Sequence, residues 1–115
     1  MGARPKVFIN GISGLLGFNL AWSLRERFLV VGTCYSNLVH IPGAQIFPVS
    51  LKNLDVLEAI VRAQRPDFVI NAIGMNDRKD VEEQPKVSDV VNVMLPVSLA
   101  ILAGRLRSKY ITLSC

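Results

Sequence analysis

The sequence predicts an α/β fold, a doubly wound parallel sheet in the strand order 3-2-1-4-5. Three observations point there. Short β-rich apolar runs alternate with segments whose apolar residues recur at helical spacing, the pattern of strands joined by crossover helices. Half of the 115 residues are hydrophobic and the mean hydropathy is +0.37, which suits strands buried on both faces. Three glycines at a strict spacing of three, in "NGISGLLG" from Asn10 to Gly17, stand where the first strand should turn into the first helix. Right-handed crossovers then favour the doubly wound order.

"KVFIN", Lys6 to Asn10, reads as the first strand, ended by a glycine. In "LLGFNLAWSLRERF", Leu16, Leu20 and Leu24 recur at i, i+4 with Phe28 one turn on, which predicts an amphipathic helix. "LVVGTCY" is the second strand, and Pro42-Gly43 turns the chain into "AQIFPVS", the third. Pro48 lacks an N–H, so this strand suits a sheet edge. Asn53 is placed to cap a second helix, with Asp55 in its first turn, Leu54, Leu57 and Val61 on one face, and Pro66 as its stop. "DFVINAIG" is the fourth strand. "MNDRKDVEEQP" is polar, with one helical turn expected near Val81 to Gln84. From about Lys86 to Arg107 a helical stripe runs through Val87, Val90, Val91, Met94, Leu95, Leu99 and Leu102, and Pro96 should kink it. "KYITLSC" is the fifth strand, completing one domain over residues 1–115.

The totals narrow the function. No apolar run approaches the roughly 18 residues that span a bilayer, and no secretory leader is visible, so no membrane role is expected. The net charge is +4, but the thirteen basic residues are scattered from Arg4 to Lys109 and no aromatics interleave them; they read as solvated surface, not as a nucleic-acid stripe. Two distant cysteines and one histidine make neither a disulfide framework nor a metal site, and point to a reducing, cytoplasmic compartment. In the expected order, Cys34 and Cys115 lie three strand steps apart, roughly 14 Å, too far to bond.

Strand before and helix after is the setting in which a glycine loop holds a dinucleotide. Gly11 would take the tight turn, Gly14 would let a pyrophosphate approach the backbone, and Gly17 would let the helix pack on the sheet. The helix N-terminus offers free N–H groups and its positive dipole end, and Ser13 adds a hydroxyl. The alternative is an ordinary tight turn.

The spacing G-x-x-G-x-x-G, with motifs that keep their order along almost the whole chain, resembles the N-terminal half of an extended short-chain dehydrogenase/reductase, and most closely the dTDP-4-dehydrorhamnose reductases. The matching stretches are "NGISGLLG", "FPVSLKN", "RPDFVINAIG", "VEEQP", "VNVMLPVSLA" and "ITLSC". The resemblance implies a Rossmann-like fold that stops before a C-terminal substrate-binding part. It implies that Gly11, Ser13, Gly14, Leu15 and Leu16 contact the pyrophosphate, with Gly17 behind them. Ser50 and Leu51 would sit near the adenine, with Ser50 where the family has Asp. Ala72, Ile73 and Gly74 would line the ribose and nicotinamide side; simple strand packing is the alternative. Asn92 would lie on the helix behind the cofactor, unless it only satisfies a buried backbone group.

Sites for NAD usually carry Asp or Glu about 20 residues past the first glycines. No acidic residue lies between Glu26 and Asp55, and the second strand ends in Tyr35, Ser36 and Asn37, which could hydrogen-bond a 2′-phosphate. No arginine stands there either. The expectation leans to NADP, or to tolerance of NADP and NAD alike.

Hydride transfer in this superfamily uses a Tyr-x-x-x-Lys pair and a Ser or Thr that orients the carbonyl. Neither Tyr35 nor Tyr110 has a lysine four residues on, and the Ser/Thr position falls at Cys115, a weak donor beside Ser114. The chain is therefore expected to be the cofactor-binding portion of an NAD(P)-dependent reductase of a nucleotide-linked or related keto-sugar, without the complete catalytic set. A non-catalytic module resembling the regulatory subunit of methionine adenosyltransferase is the alternative, and a bare structural domain is a third. The last strand would leave an apolar sheet edge, so self-association is expected.

Overall fold

A computed structural model of the chain describes residues 4–35, 37–73 and 90–113. The elements are β1 (Lys6–Asn10), α1 (Leu15–Leu24), β2 (Leu29–Cys34), β3 (Ala44–Pro48), α2 (Leu54–Gln64), β4 (Phe68–Asn71), a π-helical turn (Val90–Met94), α3 (Leu95–Arg105) and β5 (Lys109–Thr112). The sheet has the order β3-β2-β1-β4-β5, as the sequence predicts, and every ladder is parallel. Pro48 ends β3, an edge strand. The helical turn expected near Val81 to Gln84 lies outside the described residues.

Side chains alternate across the sheet and build two cores. Val7, Ile9, Val30 and Ile70 pack with Ile12, Ala21 and Ile41 on the α1 side. Phe8, Val31 and Val69 pack with Leu57 and Val61 of α2 and Leu95, Leu99 and Leu102 of α3 on the other. Burying each of these large side chains contributes about 1.5–3 kcal/mol, so the two layers dominate the stability of the fold.

Four local expectations change. α1 buries Gly17 and Ala21 and packs Leu20 and Leu24, with Phe28 just after it, partly buried against the same core, as the periodicity predicts, but Leu16 is 45% exposed. The reason is close approach: this end of α1 sits so near the glycine loop that only a small residue fits beneath it. Asn53 stands at the N-cap of α2, yet its side chain makes no capping bond, because its backbone (φ −133°, ψ 75°) departs from the usual cap geometry. Met94 is 53% exposed rather than part of the stripe. The stripe is not one continuous α-helix: the chain before α3 runs as a π turn over Val90–Met94, just ahead of Pro96. Pro96 has no N–H to give the carbonyl four residues back, at Asn92, and its ring crowds that carbonyl. The helix C-termini follow their signals: α2 stops at Gln64, with Arg65 left-handed (φ 46°) and Pro66 after it.

A parallel sheet brings all helix-to-strand connections to one edge. The basic residues scattered in the sequence gather there. Arg4 and Lys6 open β1, Arg25 and Arg27 precede β2, Arg62 and Arg65 precede β4, and Arg105, Arg107 and Lys109 lead into β5. Only Glu26 and Asp67 stand among them in these connections. Among the described residues no helix is long and apolar enough to cross a membrane.

Candidate functional site

The carboxyl edge of the sheet carries an open cleft of about 230 Å³ between the ends of β1, β2 and β4, lined by Gly11, Ser13, Gly14, Tyr35, Asn37, Ala72 and Ile73. All seven were singled out from the sequence, and all are uncharged.

The three glycines answer to three different requirements. Gly11 has φ +88°, a conformation that penalises any side chain, and a Cβ there would sit 3.0 Å from Ile73 Cβ. Its N–H and that of Ile12 donate to the Thr33 carbonyl at 3.2 and 2.8 Å, hanging the loop on the end of β2. At Gly17 a Cβ would stand 2.2 Å from the Gly11 carbonyl oxygen, so the glycine is what lets α1 seat against the loop. Gly14 differs. Its backbone (φ −75°, ψ 165°) suits any residue, and a Cβ would meet nothing closer than the Gly11 carbonyl oxygen at 3.6 Å. Among the described residues nothing demands glycine at this position, and it is exposed at the mouth of the cleft.

Gly14 is also the N-cap of α1, and no side chain caps that end. The first intrahelical bond is Phe18 N–H to the Gly14 carbonyl at 2.8 Å. The N–H groups of Leu15, Leu16 and Gly17 precede it and supply the positive end of the helix dipole. No acidic residue occupies the first turn to neutralise it. Leu15 is 85% exposed beside this end. Together these features suit a diphosphate: donors and a dipole without a competing carboxylate, and a backbone open where a Cβ would intrude.

Beneath the cleft runs a polar ladder that the sequence reading missed. Asn10 Oδ1 accepts from Thr33 Oγ1 at 2.6 Å and from the Tyr35 hydroxyl, while Asn10 Nδ2 donates to Asn71 Oδ1 at 2.9 Å. Asn10, Thr33 and Asn71 are fully buried. The ladder joins β2, β1 and β4 directly under the loops that line the cleft. Its signal was legible in retrospect: two apolar strands end in the same Ile-Asn, and the structure pairs Asn10 with Asn71. Burial pushes the Tyr35 hydroxyl above the ordinary tyrosine range, against the opposing effect of the neighbouring Thr33 hydroxyl and of its bond to Asn10. Tyr35 thus lines the cleft while its proton is held by Asn10. On β5 the Tyr110 hydroxyl is buried close to Asn71 and Thr112 without bonding geometry to either; burial raises it as well.

The remaining sequence candidates lie apart from the cleft lining. Ser50 Oγ accepts the Lys52 N–H at 3.1 Å and shapes the turn after β3. Leu51 packs against the α2–α3 core. Asn92 is exposed in the π turn. Ser36, Gly74 and Cys115 lie outside the described residues. Cys34 is a free, buried thiol.

The model of the family described as the RmlD substrate binding domain matches residues 5–115. Among solved structures, a hypothetical dTDP-4-dehydrorhamnose reductase from Sulfolobus tokodaii is 27% identical with a TM-score of 0.82, covering 95% of this chain and 38% of that one. The Bordetella bronchiseptica enzyme WbmG, solved in complex with NAD, is 18% identical with a TM-score of 0.80 over 96% of this chain and 37% of its own. An L-threonine dehydrogenase from Clostridium difficile is 16% identical with a TM-score of 0.79, covering 96% and 36%. The last two share the fold. The chain spans a little over a third of the length of these structures. No curated protein matches it.

Two outcomes follow from the ladder and the loop. Asn10→Ala strands the Thr33 and Tyr35 hydroxyls and should cost on the order of 3 kcal/mol in urea unfolding, while Gly17→Ala should cost about 2–3 kcal/mol by forcing α1 off the loop. A loss below about 0.5 kcal/mol in either would contradict the packing described. Tyrosine in the unfolded chain ionises near pH 10, whereas folded Tyr35 holds its proton to higher pH. Its contribution is therefore complete below about pH 10 and lost as pH rises through the raised folded value. Thermal melts above pH 10 should fall less steeply for Tyr35→Phe than for the parent chain; equal slopes would count against it.

Proposed function

The chain belongs to the RmlD substrate binding domain family, and on that premise we propose that it supplies the dinucleotide-binding portion of an NAD(P)-dependent reductase acting on a nucleotide-linked or related keto-sugar. The observation that carries the reading is Gly14: a glycine that neither backbone geometry nor internal packing requires, at the open N-terminus of α1. Requirement from outside the protein explains it, and a pyrophosphate laid against the loop is such a requirement. Ser13, Leu15 and Leu16 would contact that pyrophosphate through backbone N–H groups, Ser13 also through its hydroxyl, and Gly11 along its backbone, its own N–H being held by the Thr33 carbonyl. Ala72 and Ile73 would line the ribose and nicotinamide side, with Gly74 continuing it. Ser50 and Leu51 would border the adenine, and Asn92 would stand behind the cofactor. When bound, the cofactor would supply the hydride; Cys115 occupies the carbonyl-orienting position that the family resemblance implies.

Selectivity rests on the end of β2. Among the described residues the cleft wall offers Tyr35 and Asn37 and no carboxylate to repel a 2′-phosphate, with Ser36 between them in sequence. The proposal is a preference for NADP or tolerance of both nucleotides. A second reading, a non-catalytic regulatory or interaction module, draws on Ser50, whose hydroxyl serves its own turn where the family has an adenine-facing Asp. Self-association along the outer edge of β5 belongs to the proposal too; one concentration-independent monomer on size exclusion would contradict it.

Calorimetric titration tests the main reading. NADPH should bind no more weakly than NADH. Gly14→Ala should keep its stability within about 1 kcal/mol of the parent chain while weakening both nucleotides at least tenfold. An NADH preference beyond tenfold would overturn the selectivity, and unchanged affinity in Gly14→Ala would overturn the site.

A further inference from the structure

We propose that the amino edge of the sheet, opposite the nucleotide cleft and independent of it, is a docking surface for an acidic face of a partner protein. Nine basic side chains collect there, and five of them, Arg27, Arg62, Arg65, Arg105 and Arg107, are exposed and make no hydrogen bond or ion pair among the described residues. The other four are engaged locally. Arg4 donates to the carbonyls of Arg25 and Glu26, Lys6 to Gln64, and Arg25 to Pro42 while covering the Trp22 ring at 3.9 Å; Lys109 lies 5.9 Å from the Phe68 ring centroid. Three acidic residues stand near this face and offset part of its charge: Asp67 accepts the Lys6 backbone N–H at 2.8 Å, Glu26 is exposed, and Glu58 lines one groove with Arg62 and Arg105.

Basic residues near helix C-termini also complement the dipole, and that explains part of the collection. It does not explain Arg65 and Arg107. Both have left-handed backbones, φ 46° and 58°, directly after α2 and near the end of α3. Glycine is the usual residue there, because any Cβ is strained in that region. Two equivalent positions accept that strain and keep arginine, one beside each of the two helices that pack on the same side of the sheet. An arginine guanidinium presents a planar fork of donors that matches a carboxylate in two hydrogen bonds.

The character of the face selects the class of partner. The free arginines spread over three strand connections, not along one helix or groove that a nucleic acid strand would track. The nearby aromatics are already engaged: Phe28 and Phe68 are turned to each other edge to face at 5.8 Å and partly buried, and the half-exposed Trp22 ring is covered by Arg25 at 3.9 Å and stacked on Phe18 at 6.1 Å. The exposed apolar side chains beside these arginines stand apart on different elements, Leu29 at 38%, Trp22 at 45% beneath Arg25 and Ile101 at 53% between Arg62 and Arg105, and form no continuous apolar face to insert into a lipid surface. A surface of separated arginines with a dry sheet behind it fits an equally broad carboxylate surface.

Fluorescence anisotropy with labelled poly-L-glutamate as the probe tests this on the full chain. Binding should be measurable at 20 mM salt and at least tenfold weaker at 200 mM, given a Debye length that falls below about 10 Å over that range. The double variant R65G/R107G should bind the probe at least fivefold more weakly while melting no lower than the parent, since glycine suits both backbones. Lys52→Gln, which removes a charge at the opposite edge, should bind within twofold of the parent. No binding at 20 mM, undiminished binding by R65G/R107G, or an equal loss in Lys52→Gln would overturn the proposal. So would tighter binding to a DNA duplex or to phosphatidylserine vesicles than to poly-L-glutamate.

Discussion

Every strand in the sheet points the same way, and that constraint organises the rest of the molecule. With all ladders parallel, each strand-to-helix connection falls at the carboxyl edge and each helix-to-strand connection at the amino edge. The helices follow with their positive ends at the first edge and their negative ends at the second. The glycine loop, the ends of β2 and β4 and the open N-terminus of α1 therefore meet in one cleft. The arginines collect at the other end for the same reason. One topology produces two electrically different faces from a chain whose charges look evenly scattered along its length.

The cleft depends on what lies beneath it as much as on its lining. Buried hydrogen bonds of neutral groups contribute about 1 kcal/mol net, but each stranded partner costs about 1–3 kcal/mol. Asn10 therefore matters less for the stability it adds than for the mismatch its absence would create, because it receives two hydroxyl protons and gives one of its own to Asn71. The ladder holds the ends of three strands in register below the glycine loop. The Gly17 contact holds α1 above it. A nucleotide arriving at Gly14 would meet a backbone already in place, which lowers the ordering cost of binding.

Most of this was legible in the sequence where a local rule and the topology agreed. The strand order followed from alternation and crossover handedness; of the cleft lining, Gly11, Ser13 and Gly14 followed from the glycine spacing and Tyr35 and Asn37 from the end of β2, while Ala72 and Ile73 followed only from the family resemblance. Legibility failed where a tertiary contact overrides a periodicity. Leu20 and Leu24 pack on the core as their spacing predicts, yet Leu16 is exposed, and it is Gly17, held close to the Gly11 carbonyl, that is buried at that end of α1. Asn53 has the right type and place for a cap but the wrong backbone angles. Pro96 announces a break, and the π turn that stands just before it is not written in the apolar spacing. The charge distribution was invisible because sequence distance between Arg27 and Arg107 says nothing of their sharing one edge.

The central claim is that the loop from Gly11 to Gly17 is built to receive a nicotinamide dinucleotide. Amide chemical shifts followed by nuclear magnetic resonance during titration with NADPH test it residue by residue. The account requires the largest shifts at Gly11, Ser13, Gly14, Leu15 and Leu16, smaller ones at Asn37, Ala72 and Ile73, and none at Arg65 or Arg107. Shifts confined to the amino edge, or a glycine loop unmoved at saturating NADPH, would contradict it.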